Sequence, residues 1–335
     1  MSKTKFIALM LIMSVFIVKA GFSQDAEFSQ FYANPLYLNP SLTGSTDCGR
    51  FNLNYRNQWP SLNKAFITYN ASYDQNIPSL SSGLGVSVIG DNNGNNVIST
   101  NIISGFYSYK LQLSKSILVS AGFQASFYQK KLDWNNLIFG DQIDPGSGDI
   151  NPVSNETPPG SLNKSFVDFS TGITLGYLDK FFAGVGVHHL TQPENGFYDN
   201  SNSVLSMKIT VHGGTIINLT DGTIGGANSE DIVLRPNILY QQQGKFHQMN
   251  LGAYLSKYPF VGGLWFRHNF ENADAAIVLL GFQHNRYRIG YSYDFSLSKL
   301  SGNSGGAHEI SFAWEFCVYK GEKRRHIKAI KAPTF

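Results

Sequence analysis

Beyond its first two dozen residues the chain has no uninterrupted apolar run approaching the ~18 residues that a membrane-spanning helix needs. Any membrane residence must then be as a closed β-barrel, the other fold that satisfies its backbone polar groups without water. Charge is also scarce: Asp, Glu, Lys and Arg make up 15% of the sequence, against roughly 25% in soluble domains. Only two cysteines occur, Cys48 and Cys317, and they do not stand at zinc spacing. There is no H-E-x-x-H, no G-x-S-x-G elbow and no phosphate-binding glycine loop. His188 and His189 are neighbours on an expected strand and should point to opposite faces, which opposes shared metal ligation. The chain reads as a non-enzyme that needs no cofactor. A lipid hydrolase built from Ser and His on distant strands stands as the remote alternative.

What is present is aromatic and two-sided. Phe, Tyr and Trp reach 14%. From Ile117 to Phe127, one face carries Ile117, Val119, Phe123 and Phe127 while the other carries Ser120, Gly122, Gln124 and Ser126. Tyr287, Ile289, Tyr291, Tyr293 and Phe295 oppose Arg288, Gly290, Ser292 and Asp294, and Ile310, Phe312, Trp314 and Phe316 oppose Glu309, Ser311, Ala313 and Glu315. Successive strand side chains alternate sides, so each segment has an oily wall for lipid and a wet wall for a lumen.

The pattern predicts an all-β, antiparallel transmembrane barrel with strands near 50–59, 64–75, 83–91, 97–110, 116–130, 165–178, 181–190, 205–218, 231–241, 246–257, 259–269, 275–284, 286–298 and 307–319. That is fourteen strands, an even number, as closure with both termini on the periplasmic side requires. Weak joints at 178–181 and 257–259 leave twelve or sixteen open. Residues 91–95 and 303–306 have hairpin-tip composition. The competing architecture is a soluble β-sandwich or barrel with the aromatic face buried inside.

Four regions flank or interrupt the wall. Residues 1–23 read as a signal peptide: Lys3 and Lys5 precede an apolar run, and Gly21 and Ser23 suit cleavage before Gln24, with the bond after Ala20 as the alternative. Residues 24–49 are rich in turn formers and are expected to be a plug or cap, inside the lumen or across the periplasmic mouth. Residues 132–164 read as a long extracellular loop, in which Asp141, Asp144 and Asp149 are weak calcium candidates and a solvated acidic loop is the blander reading. Residues 320–335 form a basic tail, with Lys323, Arg324, Arg325 and Lys328 at its centre.

The tail carries a net +5 and the signal +3, so a whole-chain +3 leaves residues 24–319 at −5. An acidic body of this kind does not suit nucleic acid. The tail's two readings are contact with an acidic periplasmic partner and a solvated end. Closure brings the first and last strands together, so Cys48 and Cys317 should meet at the periplasmic rim, either as a disulfide or as two unpaired thiols.

Ser29-Gln30-Phe31-Tyr32-Ala33-Asn34-Pro35-Leu36-Tyr37-Leu38-Asn39-Pro40, closed by Gly44, resembles the N-terminal signature of the PorP/SprF family of type IX secretion system membrane proteins from Bacteroidota. Tyr55-Arg56-Asn57-Gln58-Trp59-Pro60 is similar to that family's second block, and Phe139 to Asp144 and His308 to Ser311 also fit. Ser41 stands where the family usually has Ala, and the basic tail extends past the usual end.

The resemblance implies an outer-membrane barrel that works with the type IX machinery to export or anchor a secreted surface protein or adhesin bearing a C-terminal sorting domain. A general diffusion or nutrient channel is the alternative function. The Asn-Pro pairs fix turns, so Phe31, Tyr32, Asn34, Pro35, Tyr37, Asn39 and Pro40 are candidates for plug packing or partner contact. Trp59 is expected in the interfacial aromatic belt, and Arg56 facing the lumen or the plug.

Overall fold

The computed structural model describes residues 24–62, 65–178, 180–198, 203–225, 230–297 and 304–317. The expected signal peptide and the basic tail with Lys323, Arg324, Arg325 and Lys328 lie outside the described residues. Fourteen long strands follow one another as a meander. They are β1 (Gly49–Gln58), β2 (Phe66–Ile77), β3 (Ser82–Asn93), β4 (Ile98–Gln112), β5 (Ile117–Leu132), β6 (Asn163–Tyr177) and β7 (Phe181–His188), then β8 (Lys208–Thr215), β9 (Val233–Gln243), β10 (Phe246–Lys257), β11 (Phe260–His268), β12 (Ala273–His284), β13 (Tyr287–Ser296) and β14 (Ala307–Phe316). A two-residue ribbon, Ile217–Asn218 with Thr223–Ile224, extends the β8–β9 connection.

Each long strand pairs with its sequence neighbours, and β1 closes on β14 from Gly49 opposite Phe316 to Gln58 opposite Ala307. The ring leaves none of these fourteen strands as a free edge, the condition for standing in hydrocarbon. All fourteen expected strands occur, most within two residues of the periodicity reading. The doubtful joints are tight turns, the second through the cis peptide Tyr258–Pro259. One hairpin tip is shifted: Asp91 to Asn93 still pair with β4, and the turn begins at Gly94.

The alternation decides between barrel and soluble sandwich. Leu264 and Leu280 are 68% and 65% exposed on the outer wall, while Glu309 and Asp74 are fully buried inside. Trp314, Phe295 and Tyr291 are likewise exposed, whereas Arg56, Arg267 and Asp294 are buried. A water-soluble fold would place these two sets the other way round. Lipid is therefore the outer wall's solvent.

The two rims differ. The β5–β6 and β7–β8 connections, residues 133–162 and 189–207, leave from one rim; the chain enters β1 and leaves β14 at the other. There Cys48 and Cys317 form a disulfide with a Cα separation of 4.5 Å, across a sequence gap of 269 residues. This bridge staples the strand pair that closes the cylinder.

Candidate functional site

A transmembrane barrel of this size needs either water or protein in its lumen, and here it is protein. Residues 28–36 and 38–45 are buried. Their contacts reach β2, β4, β5, β6, β8, β11, β13 and β14, so the segment runs up the middle of the cylinder.

Local sequence sets its path. Pro35 occupies the first turn of α1 (Pro35–Leu38), where the missing N–H is no loss. Asn39 ends that turn and starts the next, its Oδ1 accepting from the Ser41 N–H at 3.0 Å. Pro40 opens the next tight turn, Pro40–Leu42. Gly44, at φ +62°, then makes the left-handed bend that lets the chain leave toward β1. Its N–H donates to Asp74 Oδ2 at 2.7 Å, and the same carboxylate is clamped by Arg50 Nη2 at 2.9 Å.

Strand glycines make room for the compact part. A Cβ on Gly122 would overlap the backbone of Pro40 and Ser41; one on Gly83 would overlap the Thr43 carbonyl. The exposed backbone of the segment is then met by short hydroxyls: Ser120 Oγ donates to Ser41 O at 2.7 Å, Ser108 Oγ to Thr43 O at 2.7 Å, and Thr210 Oγ1 to Leu38 O at 3.1 Å. Rings meet the wall as well: Phe31 meets Trp265 of β11 edge-on at 5.3 Å and Tyr32 meets Phe182 of β7 at 5.9 Å. These aromatics, with Tyr254, Leu239 and Ile277, form a buried apolar cluster within a largely polar lumen.

Charge concentrates nearer the long-loop rim. Ser29 is the knot: its Oγ accepts from Arg56 Nη1 at 2.6 Å and Arg267 Nη2 at 2.7 Å, and donates to Asp294 Oδ2 at 2.6 Å. The Ser29 N–H donates to Glu309 Oε2 at 2.6 Å, Arg56 pairs with Asp294 and Glu309, and Arg267 pairs with Asp294 and Glu27. All of these charges except the part-exposed Glu27 are buried, so each of the others depends on its partners rather than on water.

A second group fixes the leading residues. Asp25 Oδ2 lies 2.9 Å from His189 Nε2 and 3.4 Å from Lys208 Nζ, and Gln243 Nε2 donates to Asp25 Oδ1 at 3.1 Å. The other imidazole nitrogen, Nδ1, is 2.7 Å from Asp168 Oδ2. Burial works against charge on His189, but the Asp25 carboxylate and the Asp168 hydrogen bond outweigh it and push the imidazole up to about 9. Burial likewise opposes ionisation of Asp25, yet His189 and Lys208 hold its carboxyl far below the usual range.

The sign of the pH effect follows. The raised imidazole contributes attachment that is complete below its ordinary value of 6.5 and is lost as pH rises through about 9. The depressed carboxylate contributes attachment that is present above 3.8 and is lost in acid. A spin label on a Gln24→Cys variant should accordingly be immobilised at pH 7 and mobile at pH 10, and His189→Gln should remove that alkaline transition. A label equally immobile at both pH values would contradict the latch.

The structure thus brings Phe31, Tyr32, Asn34, Pro35, Tyr37, Asn39, Pro40 and Arg56 into one lumenal assembly. Trp59 does not join it. It sits in the β1–β2 turn, half-buried, edge-on to Phe66 at 5.3 Å, with its N–H on Gly306 O. Asp144 and Asp141 use their carboxylates within the loop itself, on Gly146 and Ser147 N–H and on Asn155 N–H and Ser154 Oγ. Asp149 contributes its backbone carbonyl to Asp144 N–H. Among the described residues no group of three or more His, Cys, Asp or Glu could hold a metal.

Two expectations need correction. Both chain ends were expected at one rim; Cys48 and Cys317 are there, but Asp25 lies at the long-loop rim because the cation and imidazole that balance it begin β8 and follow β7. His188 and His189 do not straddle the wall. β7 ends at His188, and His189 takes φ +58°, turning both rings inward. Asp25, Glu27, Asp168, His189, Lys208, Arg267, Asp294 and Glu309 were not picked out as site residues. Their only sequence signal is charge, much of it on the wet wall of strands otherwise lined by Ser, Thr, Asn and Gly.

A sealed antiparallel cylinder with lipid-facing aromatics and a lumen occupied by its own leading segment defines an outer-membrane β-barrel. The chain belongs to the family of type IX secretion system membrane proteins PorP/SprF, whose model matches residues 20–314. Among solved structures it is similar to the toluene transporter TbuX of Ralstonia pickettii, at 10% identity over 84% of this chain and 93% of that one, with a TM-score of 0.52. A Pseudomonas aeruginosa FadL homologue is also similar, at 11% identity over 89% and 100% of the two chains, with a TM-score of 0.46. At such identity the likeness is one of fold. No curated protein matches the chain.

Proposed function

We propose that this barrel is a non-enzymatic docking component of the type IX machinery, assisting export or surface anchoring of a secreted protein or adhesin that bears a C-terminal sorting domain. The observation that carries the reading is the occupied lumen. Ser29, Asn39, Ser41 and Thr43 are each hydrogen-bonded to the wall, which puts a fixed obstruction in the path of a polypeptide and counts against a general diffusion channel.

In this reading the disulfide rim is periplasmic and the 133–162 loop is extracellular, since outer-membrane barrels keep short turns inside and long loops outside. The partner then has two surfaces to engage, the outer loops and the inner rim from which the basic tail continues. The test is capture of the tagged barrel in mild detergent with its native membrane. Co-purification of a type IX component or a surface protein with a sorting domain is the expected result. Recovery of the barrel alone, under conditions that keep a known type IX complex intact, would overturn it.

A further inference from the structure

The lumenal segment does not fill the cylinder evenly. A cavity of about 140 Å³ remains against β3 to β6, below the long-loop rim. Ile89, Ile102, Phe106, Tyr128 and Phe166 supply its apolar side, and the carboxylates of Asp25 and Asp91 also line it, the first paired with His189 and Lys208 and the second held by Thr68 Oγ1 and Asn93 Nδ2. A void of that size with such walls accepts a body about as large as a benzene ring.

Two of its polar atoms are unspent. Gln124 Oε1 and the buried Nε2 of His188 have no protein partner, and both residues line the cavity. At the upper end stands Lys130, which is paired across the β5–β6 ladder with Lys164. Like charges directly opposite on neighbouring strands repel. Lys164 has Glu194 at 4.0 Å, but among the described residues no carboxylate lies within ion-pair distance of Lys130. Its Nζ meets only the Asn195 carbonyl at 3.4 Å and the Phe197 ring at 5.3 Å. A cation with no carboxylate partner among the described residues, beside apolar side chains and two free hydrogen-bonding atoms, makes a site suited to an anion.

We propose that this cavity binds a small monocarboxylate with a ring-sized apolar body, its carboxylate on Lys130 and a second polar group on Gln124 and His188. The site is separate from any docking of a secreted partner and stands or falls independently of that role. The probe is 4-hydroxyphenylacetate, titrated calorimetrically into the full barrel in a nonionic detergent.

Saturable binding is expected, with the uncharged 4-hydroxyphenylacetamide weaker by roughly tenfold or more, as loss of a charge-assisted contact dictates. Lys130→Met should weaken the acid by a similar factor and leave the amide unchanged. Ile102→Trp, which fills the cavity, should abolish both. Heat-dependent gel mobility identifies folded barrel in each case, and Lys130→Gln substitutes for any methionine variant that does not fold. No saturable binding by the folded wild type, equal affinity for acid and amide, or full affinity in either folded Lys130 variant would overturn the assignment.

Discussion

Valine in place of Gly122 is expected to expel the lumenal segment and turn a closed barrel into a conducting one. The glycine faces inward on β5, and the atoms that an added Cβ would strike belong to the Pro40–Ser41 backbone rather than to a side chain that could rotate aside. Overpacking of this kind costs about 1–3 kcal/mol. Each wall hydroxyl that loses its carbonyl acceptor adds about 1 kcal/mol, and Ser120, Ser108 and Thr210 all depend on the same turn. Single-channel recording should show no sustained current for the wild type and stepwise openings for Gly122→Val. Gly105→Ala is the control, because a Cβ there meets nothing within 4 Å. A folded Gly122→Val barrel that stays silent, with residues 25–45 still protected from protease, would contradict the packing described.

Arg267→Met should be the most destabilising single change in the charge cluster. Its guanidinium serves Glu27 at 3.2 Å, Asp294 at 3.0 Å, Asp274 at 3.6 Å and the Ser29 hydroxyl, and it is buried. Removing one partner from a buried ion network typically costs about 3–5 kcal/mol, here chiefly because Asp294 is left buried while Glu27 and Asp274 keep some access to water. Arg267→Lys should recover little of this, since one ammonium cannot span four acceptors in a fixed fork. Adding Asp294→Asn to Arg267→Met should recover part, and a double-mutant cycle read by urea unfolding measures how much. Additive losses in that cycle would mean that Asp294 relies on Arg56 alone.

Much of the wall could be read from period-two alternation because it is a local property: whether Phe123 or Gln124 meets lipid is fixed by one strand's own sequence. Closure, strand number and the meeting of Cys48 with Cys317 then follow from the meander. The inside was readable only in part. Asn-Pro pairs announce turns at Asn34 and Asn39, yet what Ser29 or Asp25 touches is settled largely by residues 164 to 280 positions away. No periodicity carries that information. The direction of the segment was lost for the same reason, since only its pairing with Lys208 and His189 places Asp25 at the far rim. Inward glycines at 83 and 122 were visible in the sequence, but as neutral members of a wet wall rather than as seats for a passing backbone.

The disulfide has one more implication. It fixes residue 48 to the rim, whereas hydrogen bonds, ring contacts and ion pairs hold residues 24–45 along the bore. Were those contacts traded for contacts with another molecule, the freed stretch would behave as a leash staked at one end. With the chain cut before Gln24, the twenty-five residues up to Cys48 drawn straight would reach about 80 Å, more than twice the thickness of the ~30 Å hydrocarbon layer. The radius within which such a leash could fish for a passing ligand is therefore set by where the cysteine sits in the chain.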